Sequence, residues 1–354
     1  MTRHSFKRTG VLVSALMLLS STVFSQIDNF DFIRSSTADA TKFLSAYMAP
    51  WTDAFGAGLN GGWYNTAKPH KPLGFDITTS FNVGIVPASA NKFDISSLNL
   101  TSLTGSGSTS SISGPKSDGP VMTYSAGGQT LATFNAPGGA NWRYIPVPTL
   151  QVGLGLPLGT EIKGRFIPKI NIRDGDISLW GVGLLHSITQ YLPGDKILPV
   201  DVSLFGGYTK LEGNAPLKLL PDGSITQNYS PAVSFDGQKM NVEVTSMNIS
   251  AIGSLNLRVI TFYGGLGYSK TKTALQLNGN FPTPVLVATP TPHPEYNNSG
   301  IKTGKDFSGI DIENFSGLRA NAGFRIKLAV ITIHADYTRA QYNVFSTGLG
   351  VSFR

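Results

Sequence analysis

Apolar and polar residues alternate along most of this chain with a period of two. Side chains at i, i+2 and i+4 of a strand share one face. Near the C-terminus Phe345, Thr347, Leu349, Val351 and Phe353 fall on one face, and Ser346, Gly348, Gly350, Ser352 and Arg354 on the other. Leu318, Ala320, Ala322, Phe324, Ile326 and Leu328 alternate with Arg319, Asn321, Gly323, Arg325 and Lys327. Ile331, Ile333, Ala335 and Tyr337 alternate with Thr332, His334 and Asp336. The same pattern places Ile162, Phe166, Ile170 and Ile172 opposite Glu161, Lys163, Arg165, Lys169 and Arg173.

Such runs predict ten strands, at 73–86, 146–157, 160–173, 177–188, 200–211, 240–255, 258–271, 315–327, 330–338 and 342–354. Several are about ten residues long or more, the length a tilted β-strand needs to cross a bilayer. Short turns alternate with long connections at about 87–145, 212–238 and 272–313. With the C-terminus in the periplasm, every long connection falls outside, as in outer-membrane barrels. The expected fold is all-β: a transmembrane antiparallel β-barrel of 10–14 strands. Because 87–145 is long enough to hide another hairpin, twelve is taken as the single figure. A soluble exported sandwich is the fold alternative, since its strands also alternate.

The period changes ahead of the barrel. Phe43, Leu44, Tyr47 and Met48 have helical spacing, and Pro50 predicts an end near Ala49. This short N-terminal helix is read as a lumen plug or a periplasmic rim element. The stretch GAGLNGGWYN, 56–65, is an odd strand out that either pairs at the seam or lies partly within the lumen. Thr101–Pro120 is Ser/Gly-rich and Phe281–Tyr296 is Pro-rich; both are expected to be mobile outer loops.

Composition narrows the compartment. Arg3, Lys7 and Arg8 precede the apolar run Val11–Leu19, and small residues follow at Val23 and Ser25. This is the three-part pattern of a secretory signal, with cleavage expected after Ser25. The organisation is then 1–25 signal peptide, 26–55 N-terminal helical segment and 56–354 barrel. Only 14% of residues are charged, against about 25% in soluble domains. The formal charge of +7 falls to +4 without the three signal cations, and export argues against nucleic acid as a partner. The chain has no cysteine, which excludes disulfides, a lipidated Cys and thiolate metal sites.

Three stretches carry a family likeness: DAFGAGLNGGWYNTAKPHKPLGFDI (53–77), SITQYLPGDKILPVDVSLFGGYTK (187–210) and the tail from Gly317. Together they resemble an uncharacterised family of outer-membrane β-barrels from Bacteroidota, over nearly all the mature chain. More loosely, an N-terminal segment before a barrel with long outer loops is similar to the long-chain fatty-acid transporter family, although none of that family's ligand-site motifs is intact. The last strand resembles the signal read by the outer-membrane insertion machinery, with Phe353 penultimate and Arg354 last. The resemblance implies a barrel in the cell outer membrane, with its lipid and the insertion machinery as partners. It carries no reaction.

The chemistry is sparse. No nucleophile elbow, phosphate loop or EF-hand is present, and His70, His186, His293 and His334 look isolated, so no catalytic, cofactor or metal site is assigned. His186 and Ser187 are neighbours and point to opposite faces. The candidate lumen lining is Lys163, Arg165, Lys169, Arg173, Arg319, Arg325, Lys327, His334 and Asp336. Basic rings in a pore favour anions. The expected function is therefore a barrel that passes or binds a small apolar or anionic solute. The alternatives are a closed structural or adhesive barrel whose outer loops bind partners and, third, a barrel lipid hydrolase using His334 and Asp336.

Overall fold

A computed structural model describes residues 31–172, 175–191, 199–220, 235–286, 294–297, 308–312 and 316–353. Ten strands form a closed antiparallel ring: β1 (Phe75–Ile85), β2 (Tyr144–Leu156), β3 (Thr160–Ile172), β4 (Gly175–Ser187), β5 (Val200–Pro216), β6 (Lys239–Asn256), β7 (Ile260–Asn278), β8 (Ser316–Leu328), β9 (Ile331–Arg339) and β10 (Asn343–Phe353). Each strand pairs with the next, and β10 returns to β1 in the register Phe75↔Phe353 to Ile85↔Asn343. Closure leaves no sheet edge, which the bilayer interior requires. The ordered last strand is therefore half of the seam.

Ten lies at the low end of the expected range, and the single figure of twelve is too high. The extra strands in 86–143 exist, but they pair among themselves outside the ring: Lys92–Asp94 with Ser108–Ser110, and Leu103–Thr104 with Val121–Ala126 and Gln129–Asn135.

Burial follows the predicted alternation with the polarity of a soluble protein inverted. On β1 the buried positions are Asp76, Thr78, Ser80 and Asn82, while Phe75, Ile77 and Phe81 are exposed. Leu150, Phe166, Trp180, Leu204, Ile249, Leu266 and Leu318 continue the exposed apolar band around the ring. No helix among the described residues is long and apolar enough to cross a membrane.

The N-terminal helix, α1 (Thr37–Leu59), is much longer than predicted and carries Pro50 in its interior. A helical proline lacks an N–H and leaves the carbonyl of Ala46 without its usual donor. Tertiary packing overrides that cost, because α1 is enclosed by the cap over its first half and by the barrel over its second. It packs against β1, β2, β6, β7 and β10, on opposite sides of the ring. Gly84 of β1 has no room for a side chain: a Cβ there would strike the carbonyl of Ala54. Residues 56–65 form no strand; they are the last turn of α1 and the start of an inner segment that descends to β1.

At the long-loop end, β5, β6 and β7 run for 17, 18 and 19 residues and stand above the shorter strands opposite. Met240, Leu275 and Leu277 of this raised wall share a core with Phe32, Phe43, Tyr47, Ile112 and Met122. The Ser/Gly-rich stretch belongs to this cap. Thr109, Ser110, Ser111 and Ser113 are buried, and the Ile112 N–H donates to the Tyr47 carbonyl at 3.0 Å. Small residues allow such close backbone approach: a Cβ at Gly114 would strike the Asn91 carbonyl. The segment read as a mobile loop is thus packed. Of Phe281–Tyr296, Phe281 is buried in the cap and Thr283–Leu286 pairs with Pro294–Asn297; residues 287–293 lie outside the described residues.

Candidate functional site

The lumen is the place to look for function, and the chain itself fills much of it. The Ser36 hydroxyl caps α1 by accepting from the Asp39 N–H at 3.3 Å. The Asp39 carboxylate in turn accepts from the backbone N–H groups of Thr101, Ser102 and Leu103, tying the cap to the helix start. A negative charge in the first turn also suits the helix dipole.

The other end of α1 has no basic residue in its last turn. The wall supplies two. Arg165 of β3 donates from Nη1 to the Leu59 carbonyl and from Nη2 to the Gly61 carbonyl, both at 2.7 Å, and from Nε to Gln151 Oε1 at 3.1 Å. Its guanidinium carbon lies 3.7 Å from the centre of the Trp63 ring. Arg319 of β8 donates to the Asn60 carbonyl at 2.7 Å. Together they satisfy carbonyls that a helix C-terminus leaves without partners.

Below Gly61 the segment keeps contact with the wall. The Tyr64 hydroxyl donates to Asn321 Oδ1 at 2.7 Å, and Trp63 and Tyr64 pack with Phe205. The Ala67 N–H donates to Ser254 Oγ at 3.1 Å, and the Ser203 hydroxyl donates to the Ala67 carbonyl. Arg325 Nη1 donates to Asn65 Oδ1 at 3.3 Å, and Lys327 Nζ donates to Ser352 Oγ at 3.2 Å.

Seven of the nine predicted lining residues therefore turn inward: Lys163, Arg165, Arg319, Arg325, Lys327, His334 and Asp336. Lys169 does not. The β3–β4 ladder shifts register between Ile167 and Ile170, reversing the alternation, so Lys169 is largely exposed and pairs with Asp176 at 3.0 Å. Arg173 lies outside the described residues. His334 and Asp336 share the inner face without forming a relay. His334 Nε2 is 3.5 Å from Ser80 Oγ, its Nδ1 has no partner, and Asp336 accepts from the Tyr263 hydroxyl at 3.0 Å.

One cluster was not legible in the sequence. His70 is not isolated: its Nδ1 lies 2.9 Å from Glu161 Oε2 and 3.8 Å from Asp76 Oδ1. Lys163 pairs with the other oxygen of Glu161. Inward parity was readable for Asp76 and Glu161 separately; only the strand pairing and the returning inner segment bring them to His70.

A family described as of unknown function (DUF6588) matches residues 6–353. The chain belongs to that family. No curated protein matches the sequence of this DUF6588 member. Among solved structures it is similar to the translocator domain of the autotransporter NalP from Neisseria meningitidis, at 11% identity and a TM-score of 0.32 over 87% of this chain and 99% of that one. It is similar to the outer membrane protease OmpT of Escherichia coli, at 9% identity and 0.31, over 80% and 97%. It is also similar to Ail, the attachment invasion locus protein of Yersinia pestis, at 8% identity and 0.25, over 79% and 97%.

Proposed function

We propose that this chain is an outer-membrane barrel closed by its own N-terminal segment, whose long-loop end forms a folded platform for partners at the cell surface. The observation that carries this reading is the inner segment from Thr37 to His70, tied to the cap at the start of α1 and hydrogen-bonded to the wall from the end of α1 almost to β1. An exposed apolar band meets lipid, and three of the four links at the other end are turns of two or three residues, as on a periplasmic face. With the ring so placed, the chain enters the lumen from the cell-surface side. Of the inward cationic side chains that suggested an anion path, Arg165 and Arg319 hold helix-end carbonyls, Arg325 and Lys327 a lumen amide and hydroxyl, and Lys163 the Glu161 carboxylate. This weighs against the solute-passing reading and the fatty-acid likeness.

Purified protein in planar bilayers tests the closure: no steady conductance is expected, and a steady ohmic current would overturn it. An epitope inserted between Gly127 and Gly128, at the tip of a cap hairpin where a Cβ on Gly128 would meet open space, tests the orientation. It should be reached by antibody on intact cells. Antibody binding only after the outer membrane is breached would reverse the assignment of ends.

A further inference from the structure

We propose that His70, Asp76 and Glu161 form a binding site for a divalent transition-metal ion of the zinc class, which staples the inner segment to the barrel wall near its short-turn end. The three donor atoms, His70 Nδ1, Asp76 Oδ1 and Glu161 Oε2, lie within 4.8 Å of one another. Around a tetrahedral ion with bonds of about 2.0–2.1 Å, donor atoms sit roughly 3.3–3.4 Å apart. The two separations from His70, 2.9 and 3.8 Å, bracket that value, and the Asp76–Glu161 pair, within 4.8 Å, closes to it by side-chain rotation.

The Asp76 carboxylate points to a ligand. Asp76 is 6% exposed, and its Oδ1, which faces His70, has no hydrogen-bond partner, whereas Oδ2 accepts from Thr78 at 2.7 Å. A buried carboxylate oxygen left without a donor is costly. The nearby cations offset part of that cost through space but give Oδ1 no hydrogen bond. Lys163 is engaged by Glu161 Oε1, and the hydrogen bond Arg325 makes from Nη1 goes to Asn65. A metal ion would satisfy Asp76 Oδ1 directly.

The surroundings are shaped for convergence. Gly153 of β2 sits across from Asp76 on β1 and from Lys163 on β3, and a Cβ there would strike both Asp76 Oδ1 and Glu161 Oε1. Gly155 likewise leaves room for the backbone of His70 and Lys71. His70 Nε2 lies 3.0 Å from Ser352 Oγ, so a histidine bound through Nδ1 keeps an outer partner that fixes its ring. The fourth coordination position is left to water.

The test uses full-length mature protein folded in detergent, titrated with Zn2+ against a competing chelator and with Co2+ followed by its visible absorption. One saturable equivalent is expected, with a tetrahedral Co2+ spectrum and a Zn2+-dependent rise in the temperature of the heat-modifiable gel shift. Asp76→Asn and His70→Gln should each weaken binding at least tenfold while keeping the folded gel migration. If the wild type shows no saturable equivalent, or both folded variants bind within twofold of it, the site is wrong.

Discussion

The same N-terminal segment is held in two ways at two heights. In the cap, Phe32, Phe43, Leu44, Tyr47 and Met48 lie in an apolar core with Ile95, Ile112, Met122 and Leu131, as a helix lies in a soluble domain. Below Leu59 the contacts are mostly polar: arginines on carbonyls, serines on amides and a tyrosine hydroxyl on Asn321. The difference follows from what surrounds each region. The ring must turn most of its large apolar residues toward lipid, so its inner face carries mainly small and polar ones, apart from local clusters such as Val147, Leu179 and Val244 against the end of α1. The cap has no lipid to face and gathers apolar residues inward. Within the ring, apolar packing is confined to two clusters, one around Phe55 and Leu59 and one around Trp63 and Tyr64, and hydrogen bonds made where water is scarce and each orphaned group is expensive carry the rest of the hold.

The largest expected effect comes from breaking the polar half. Arg165→Met keeps bulk near Trp63 and leaves the Leu59 and Gly61 carbonyls and Gln151 Oε1 without this donor. At about 1–3 kcal/mol for each of the three unsatisfied buried groups, the cost is roughly 3–9 kcal/mol, concentrated at the lower segment. The chain lacks cysteine, so single reporters are clean. Asn65→Cys should become reactive to a membrane-impermeant maleimide in the Arg165→Met background, while Ala40→Cys stays protected. Equal exposure of both reporters would show that the two halves release together. Phe43→Ala attacks the other half. Removing a fully buried ring costs about 3–5 kcal/mol and should expose Ala40→Cys before Asn65→Cys.

Legibility in the sequence followed the same division. All ten ring strands were readable because lipid imposes strict alternation on each, and the seam was foreshadowed by the ordered run ending at Phe353. Arg165 and Arg319 were readable as inward, but not what they hold. Their partners are backbone carbonyls, which leave no mark in the sequence, on a helix whose Pro50 argued for an earlier end. Lys169 was misplaced because a bulge shifts parity without changing composition. The cap was read as loop since Ser and Gly signal flexibility when alone; here they allow close backbone contacts around Asp39 and Tyr47. His70 was missed because its partners lie 6 and 91 positions away in sequence.

Asp39 joins the cap to the helix start, and its removal should act on that joint alone. Burial raises its carboxyl pKa, but hydrogen bonds from Thr101, Ser102 and Leu103 outweigh this and hold it below its ordinary value. A depressed folded pKa contributes stability that is fully present above the unfolded value of about 3.9 and is lost as pH falls through the folded one. The protection of Ala40→Cys should therefore weaken on acidification below about pH 4. Asp39→Asn should cost about 1–2 kcal/mol at neutral pH and flatten that dependence. An unchanged acid profile in Asp39→Asn would assign the pH response to another group.

The smallest effect gives the finest test of the comparison, because the lower half is not purely polar. Trp63, Tyr64, Phe205 and Tyr263 form an aromatic cluster there, with Tyr64 and Phe205 ring centres 5.4 Å apart. Tyr64→Phe keeps the ring and removes only the hydroxyl that donates to Asn321, with an expected cost of about 1 kcal/mol. Tyr64→Ala removes the ring as well, and would cost about 3–5 kcal/mol if the cluster behaved as a packed core. Should the hydroxyl account for a measurable share of asparagine-65 reporter protection, hydrogen bonding anchors this level of the lumen. A silent Tyr64→Phe beside a severe Tyr64→Ala would instead mean that ring packing secures the segment here too. The contrast between cap and lumen would then narrow to the helix end, where Arg165 and Arg319 meet the last carbonyls.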